Sequence, residues 1–327
     1  MARTPFTTGT NVVVAVQLDD LAPTLIKAGA QVAEKTGGKL TVVHVCEPTN
    51  PVAWSYAMGG GFGLESVATI IEDQQLDAAT KELKTIVSAI KTTCPVTQKV
   101  VTGNPASVVA GEASSSGASL IVTGASPGTH RFIPSGLSTA LSLMGHASSS
   151  VLVMTSECKF DLSRKGFKVL VADDLRDTSH PALSAAYAAA VAAGPGAELL
   201  QAHVNGLTRE SLAAGLEAAL ASSRATITSD KTAEEVFGMM MKSIENKLVE
   251  RLSGIAWAKP PVGLTCKKMV CTGNVIEELE KVLGTFAADL VVYGRHQTFH
   301  HKPFMVGQVP FFSVLAHKRP VLVVPAE

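Results

Sequence analysis

Short runs of valine, leucine and isoleucine recur along the chain, and between them lie longer stretches with apolar residues at helical spacing. "NVVVAV" and "TVVHV" are separated by "APTLIKAGAQVAEKTGG", whose apolar residues return every three to four positions before a glycine stop. "VLVAD" is followed by "HPALSAAYAAAVAAGPG", alanine-rich and closed by Gly194-Pro195-Gly196. The short runs are apolar throughout, which fits strands buried on both faces. Their alternation with helices predicts a parallel sheet with right-handed crossovers.

The pattern occurs twice. "VVTGN" places Gly103 and "MVCTGN" places Gly273, 170 residues apart. "LIVTG" ends at Gly124 and "LVVYG" at Gly294, and "VLVM" begins at Val151 and "VLVV" at Val321, each at that same offset. Upstream the offset falls to 157 between Val12 and Val169 and to 159 between His44 and His203. The second copy therefore carries 11 extra residues between its second and third strands, where a surface connection absorbs insertions at little cost. Each copy reads strand, helix, strand, helix, strand, helix, strand, loop-plus-helix, strand. The expected fold is α/β: two tandem three-layer α/β/α domains, each a five-stranded parallel sheet flanked by helices. Residues 1–157 form the first domain and 166–327 the second, joined by a polar linker near "TSECKFDLSRKG". Duplication requires two halves of the same strand order, not one chain-spanning thread.

Composition narrows the function classes. A 327-residue chain is comfortable for two cores, and 46% hydrophobic residues can fill them. Lys+Arg and Asp+Glu are 28 each, so no net field draws in nucleic acid or an anionic membrane. No uninterrupted apolar run is long enough for a membrane span, and "MARTPFTTGTN" lacks the apolar core of a secretory leader, so a cytoplasmic location is expected. Five cysteines without a Cys-x-x-Cys pair read as small thiols in a reducing compartment.

In an open parallel sheet, ligands sit beyond the carboxyl ends of the strands where the strand order reverses, here expected between the first and fourth strands of each copy. The loops there are "QLDD" and "GASPGTHRF" in copy one, "DDLRD" and "GRHQTFHH" in copy two. On these residues the chain resembles the universal stress protein family in its tandem form, with the adenine nucleotide alpha hydrolase-like sheet. The family's nucleotide-binding members carry Gly-x2-Gly-x9-Gly-Ser/Thr after the fourth strand and an Asp closing the first. Glycines let backbone N–H groups approach phosphates, and a helix N-terminus adds partial positive charge.

In copy two the resemblance assigns ligand binding to Asp174, Val204, Gly273, Gly294, His296, Gln297, Gly307 and Gln308. Gln297 stands where the second glycine belongs and Gln308 where the hydroxyl belongs. A glutamine amide donates to phosphate but crowds the surface. In copy one it assigns Gly103, Gly124, Ser126, Gly128 and Ser138, with Pro127 and Leu137 obstructing the loop and Gln17 at the Asp position. Copy two keeps the motif better. The implied cofactor is ATP or another adenine nucleotide, and the implied role is stress-response regulation. A non-nucleotide scaffold or small-ligand carrier is the alternative, and catalysis extends at most to weak ATPase activity. The resemblance also implies pairing through the last strand, here as an intramolecular pseudo-dimer through "VLVM" and "VLVV", with a homodimer of chains as a further option.

Other features carry weaker chemistry. His296, His300 and His301 have imidazole ligands for a metal but no Cys or carboxylate beside them in sequence. "MGGGFG", from Met58 to Gly63, lacks the Lys-Ser/Thr ending of a phosphate loop and reads as a flap over the first site. His44 and His203 read as satisfied histidines near the strand ends. "EEVFGMMMKSIENKLVERL" reads as a helix with Phe237, Met240 or Met241, Ile244 and Leu248 on its core face. No Gly-x-Ser-x-Gly or His-Glu-x-x-His motif is present.

Overall fold

A computed structural model describes residues 4–47, 64–125, 135–177, 180–222, 232–255, 261–295 and 319–326. In the first half, strands β1 (Val12–Val16), β2 (Leu40–Cys46), β3 (Val96–Thr102), β4 (Leu120–Gly124) and β5 (Ser150–Met154) alternate with helices α1 (Ala22–Thr36), α2 (Leu64–Ser88), α3 (Pro105–Ser115) and α4 (Ser135–His146). In the second, β6 (Lys168–Ala172), β7 (Glu198–Asn205), β8 (Thr265–Thr272), β9 (Leu290–Arg295) and β10 (Val321–Pro325) alternate with α5 (His180–Ala193), α6 (Arg209–Ser222), α7 (Ala233–Ile255) and α8 (Val275–Phe286). The extra residues of the second copy fall in the connection that carries α6 and α7.

The strand order is β3-β2-β1-β4-β5-β10-β9-β6-β7-β8. Each half keeps the order first-neighbouring-fourth, and every pairing within a half is parallel. The halves meet through β5 and β10, antiparallel, with Leu322 opposite Leu152 and Val321 opposite Val153. A single sheet therefore spans the chain, but it is two repeats of one topology joined at their last strands, as an internal pseudo-dimer requires.

Helices cover both faces. α1, α2, α5 and α7 pack on the side of Val12, Val14, Leu170's neighbours Val169 and Val171, and Leu322; α3, α4 and α8 pack on the side of Val13, Val151 and Val291. Close approach on the first side comes from small residues. A Cβ on Gly29 of α1 would fall 2.4 Å from Val14 Cγ2, and Ala182, Ala185, Ala186, Ala189 and Ala190 of α5 are fully buried.

The paired Thr-Gly-Asn sequences now have a physical account. Gly103 and Gly273 turn with φ of 153° and 135°, values that favour glycine, and their N–H groups donate to Cys46 O and Asn205 O at the tips of the neighbouring strands. Asn104 and Asn274 then cap α3 and α8, their side chains accepting from Ser107 N and from Ile276 N and Glu277 N. The repeat is a strand-to-helix turn written twice.

The segment between the halves differs from the polar linker expected of it. Cys158, Phe160 and Leu162 are buried, and Phe160 meets Phe167 edge-to-face with centroids 5.9 Å apart. Leu162 N donates to Gln31 Oε1 of α1, while Arg164 pairs with Asp289 at the start of β9, so the segment is stitched to both halves. Its alternation of apolar and charged residues is a half-buried pattern that a count of charges conceals.

Candidate functional site

The reversal of strand order falls between β1 and β4 in the first half and between β6 and β9 in the second, because those strands are direct neighbours. At the first, a cavity of about 610 Å³ opens beyond the strand tips. Its floor is Ala15, Val16 and Gln17 of β1 and the residue after it, with Thr123 and Gly124 of β4. Val43 to Glu47 form one wall. Gln75, Ala78, Ala79 and Glu82 of α2 form another, and Pro105, Val109 and Thr139 close the far side. The volume suits a small organic ligand, with an apolar base and a polar rim.

Asp19, in the turn after β1, accepts through Oδ1 from Leu21 N at 3.0 Å and Ala22 N at 3.2 Å at the start of α1. Gly124 lies under α1: a Cβ there would approach Leu21 Cδ2 to 2.7 Å. His44 bonds through Nδ1 to Val16 O at 3.0 Å, and its equivalent His203 to Asp173 O at 2.7 Å. Both are satisfied histidines holding the second strand to the first, as their position led us to expect. The five cysteines are free, and burial pushes the thiols of Cys46, Cys94, Cys158, Cys266 and Cys271 up. Cys46 of the cleft wall thus carries less thiolate at neutral pH than a free cysteine.

The tip of β6 is built differently. Asp173 is 3% exposed, with Oδ2 accepting from Gln201 Nε2 at 2.7 Å and from Arg251 Nε at 3.0 Å. Its Oδ1 accepts from Leu175 N at 2.8 Å and holds Leu175 at a positive φ of 63°. Arg251 Nη2 reaches on to Arg176 O at 3.0 Å. Gln201 is wholly buried, and its Oε1 has no protein partner among the described residues. Asp174, the residue expected at the ligand, is half-buried and turned to Arg176: it accepts from Arg176 N at 3.1 Å, with the guanidinium 3.5 Å away.

Of the other expected site residues, Val204 lies near the end of β7 at the level of Val45 in the first half, and Gly294 lies in β9. Gly103 and Gly273 serve the turns described above, and Ser138 lies in the first turn of α4. Ser126, Gly128, His296, Gln297, Gly307 and Gln308 lie outside the described residues, as do Pro127, His300, His301 and the "MGGGFG" segment.

Sequence reasoning missed Asp173, Gln201, Arg251 and Arg295. Arg295, the residue after Gly294, crosses to the first half and donates through Nη1 to Ala147 O at 2.8 Å and Met144 O at 3.1 Å, capping the C-terminal end of α4. Burial lowers its pKa from the ordinary arginine value. The available signal was a polar residue standing at a buried register position of an apolar strand: Asp173 matches Val16, and Gln201 matches Val42.

Among the described residues no helix is long and apolar enough to cross a membrane, and no cluster of three His, Cys, Asp or Glu side chains is arranged to hold a metal ion. Residues 9–155 match the sequence pattern that defines the Universal stress protein family. Among solved structures, a universal stress protein from Archaeoglobus fulgidus DSM 4304 aligns over 99% of this chain and 98% of its own, with a TM-score of 0.59 at 14% identity. A functionally unknown protein from Pseudomonas aeruginosa PAO1 aligns over 98% of this chain and 94% of its own, with a TM-score of 0.54 at 14% identity. Both likenesses are of fold, and both run the full length of the tandem. None of the curated proteins matches the chain.

Proposed function

With a first half that belongs to the universal stress protein family and a second half that repeats its topology, we propose that this stress-response protein works by binding a small adenine-nucleotide-type ligand at the first half's strand tips. The observation that carries the reading is the cavity of about 610 Å³ at the reversal between β1 and β4, where open parallel sheets take their ligands. Gln17 and Thr123 offer polar atoms to a base or sugar. Sequence alone favours the second copy for this role. The cavity among the described residues lies in the first.

A small-ligand carrier that does not take polyphosphates is the second reading. One observation favours it: Asp19, Glu47 and Glu82 line the cavity with no Lys or Arg among its described lining residues.

Calorimetric titration with adenosine, AMP and ATP separates the two. Nucleotide binding predicts micromolar affinity for AMP or ATP. It also predicts at least about a tenfold loss in Ala78→Trp, which fills the cleft from the exposed face of α2, and no change in Asp174→Ala. Binding of adenosine alone supports the carrier. Binding of none of the three, with no small molecule released on denaturation, removes the nucleotide reading.

A further inference from the structure

The two clefts occupy equivalent places in the fold but are not chemically equivalent. In the first half the tip of β1 and the strand beside it present Val16 and Val42 toward α2, both buried, and Glu82 of α2 stands at the cavity wall. Glu82 of α2 lines the cavity together with Val16, and in the second half Arg251 of α7 takes the corresponding place, against Asp173. Val16 and Val42 correspond to Asp173 and Gln201. An apolar pair facing a carboxylate has become a carboxylate and an amide facing a guanidinium.

The exchange changes what fills the space. Arg251 leaves α7, meets Asp173 Oδ2 through Nε and reaches Arg176 O through Nη2, so its guanidinium lies between the helix and the tip of β6. Its side chain is 11% exposed and that of Asp173 1%. Asn205 Nδ2 adds a contact to Met240 Sδ at 3.6 Å, a second link between the end of β7 and α7. A buried ion pair with further hydrogen bonds is hard to break by removing one partner, because the other charge is left uncompensated.

We propose that Asp173, Gln201 and Arg251 decide which half binds. They latch α7 onto the second cleft and fill it with the chain's own guanidinium, leaving one ligand site per chain, in the first half. The inference rests on the ligand-binding reading for its stoichiometry and on geometry alone for the latch.

Two measurements on the full chain test it, with AMP as the probe. Wild-type protein is expected to bind one AMP. The variant Asp173→Val/Gln201→Val/Arg251→Glu, which writes the first half's residues into the second, is expected to bind two. Two equivalents on the wild type, or one on the folded variant, overturns the assignment.

Hydrogen exchange supplies the ligand-independent arm. Arg251→Met combined with Asp173→Asn, which leaves no buried charge behind, is expected to speed exchange of the α7 amides from Leu248 to Ile255 by at least about tenfold while β6 stays protected. Unchanged exchange there overturns the latch. Should no variant bind AMP, the ligand reading fails, and the exchange result still decides whether Arg251 holds α7.

Discussion

Glu34 sits in the last turn of α1, yet its carboxylate is held by a distant stretch of chain: Thr92 Oγ1 and Thr93 N both donate to Oε1 at 2.6 Å. The Thr92 hydroxyl is the larger cause, with the Thr93 N–H behind it, and together they lower the Glu34 pKa against a smaller opposing effect of burial. The sign follows. A carboxyl whose folded pKa is depressed contributes stability above its unfolded value and loses it as pH falls through the folded one. The expected outcome is that Glu34→Gln lowers the urea midpoint at pH 7 and flattens its fall below about pH 4, so that the two proteins converge in acid. An identical acid limb in both proteins rejects the assignment. Residues of this kind were not legible, because nothing local links Glu34 to Thr92. The Thr-Gly-Asn repeats were legible as a repeat, and their meaning as turn and cap needed the backbone.

At the scale of elements, periodicity carried most of the information. Every strand expected from an apolar run is present, and the offset between His44 and His203 placed β2 and β7 in equivalent register, as their bonds to Val16 O and Asp173 O show. α7 carries its stripe through Phe237, Ile244 and Leu248, but the next residue inward along that face is Arg251. Hydrophobic spacing locates a helix face and cannot say that one buried position will hold a charge, because its partner Asp173 is 78 residues away in sequence. The seam is the element contact with the largest consequence. Leu152 and Leu322 face each other across it, both wholly buried. Leu322→Ala is expected to cost about 2–5 kcal/mol. Because the seam serves both cores, calorimetry should show one cooperative transition in the wild type and two in the variant. A single transition in both would mean that the segment from Cys158 to Phe167 carries the coupling instead.

For the whole molecule, duplication was readable from three shared spacings of 170 residues, and the arrangement of the copies was what the family resemblance implied for their last strands. The contacts that Asp173, Gln201 and Arg251 make were not readable from the repeat, since matched landmarks report common ancestry and not common contents. A chain ending at residue 157 would leave β5 with an unpaired apolar edge, which strongly favours pairing with another copy. Such a fragment is expected to run as a dimer in sedimentation at micromolar concentration, and Leu152→Lys to make it a monomer. A wild-type fragment that stays monomeric would show that β5 does not drive association by itself.

The antiparallel join of β5 to β10 uses buried leucines and valines and backbone groups, and none of the described residues that line the first cleft. An assembly of identical subunits receives every substitution in both of its binding sites at once. Here the subunits are fused, so a mutation reaches one site and spares the other, and one half is free to become a permanent scaffold for its twin.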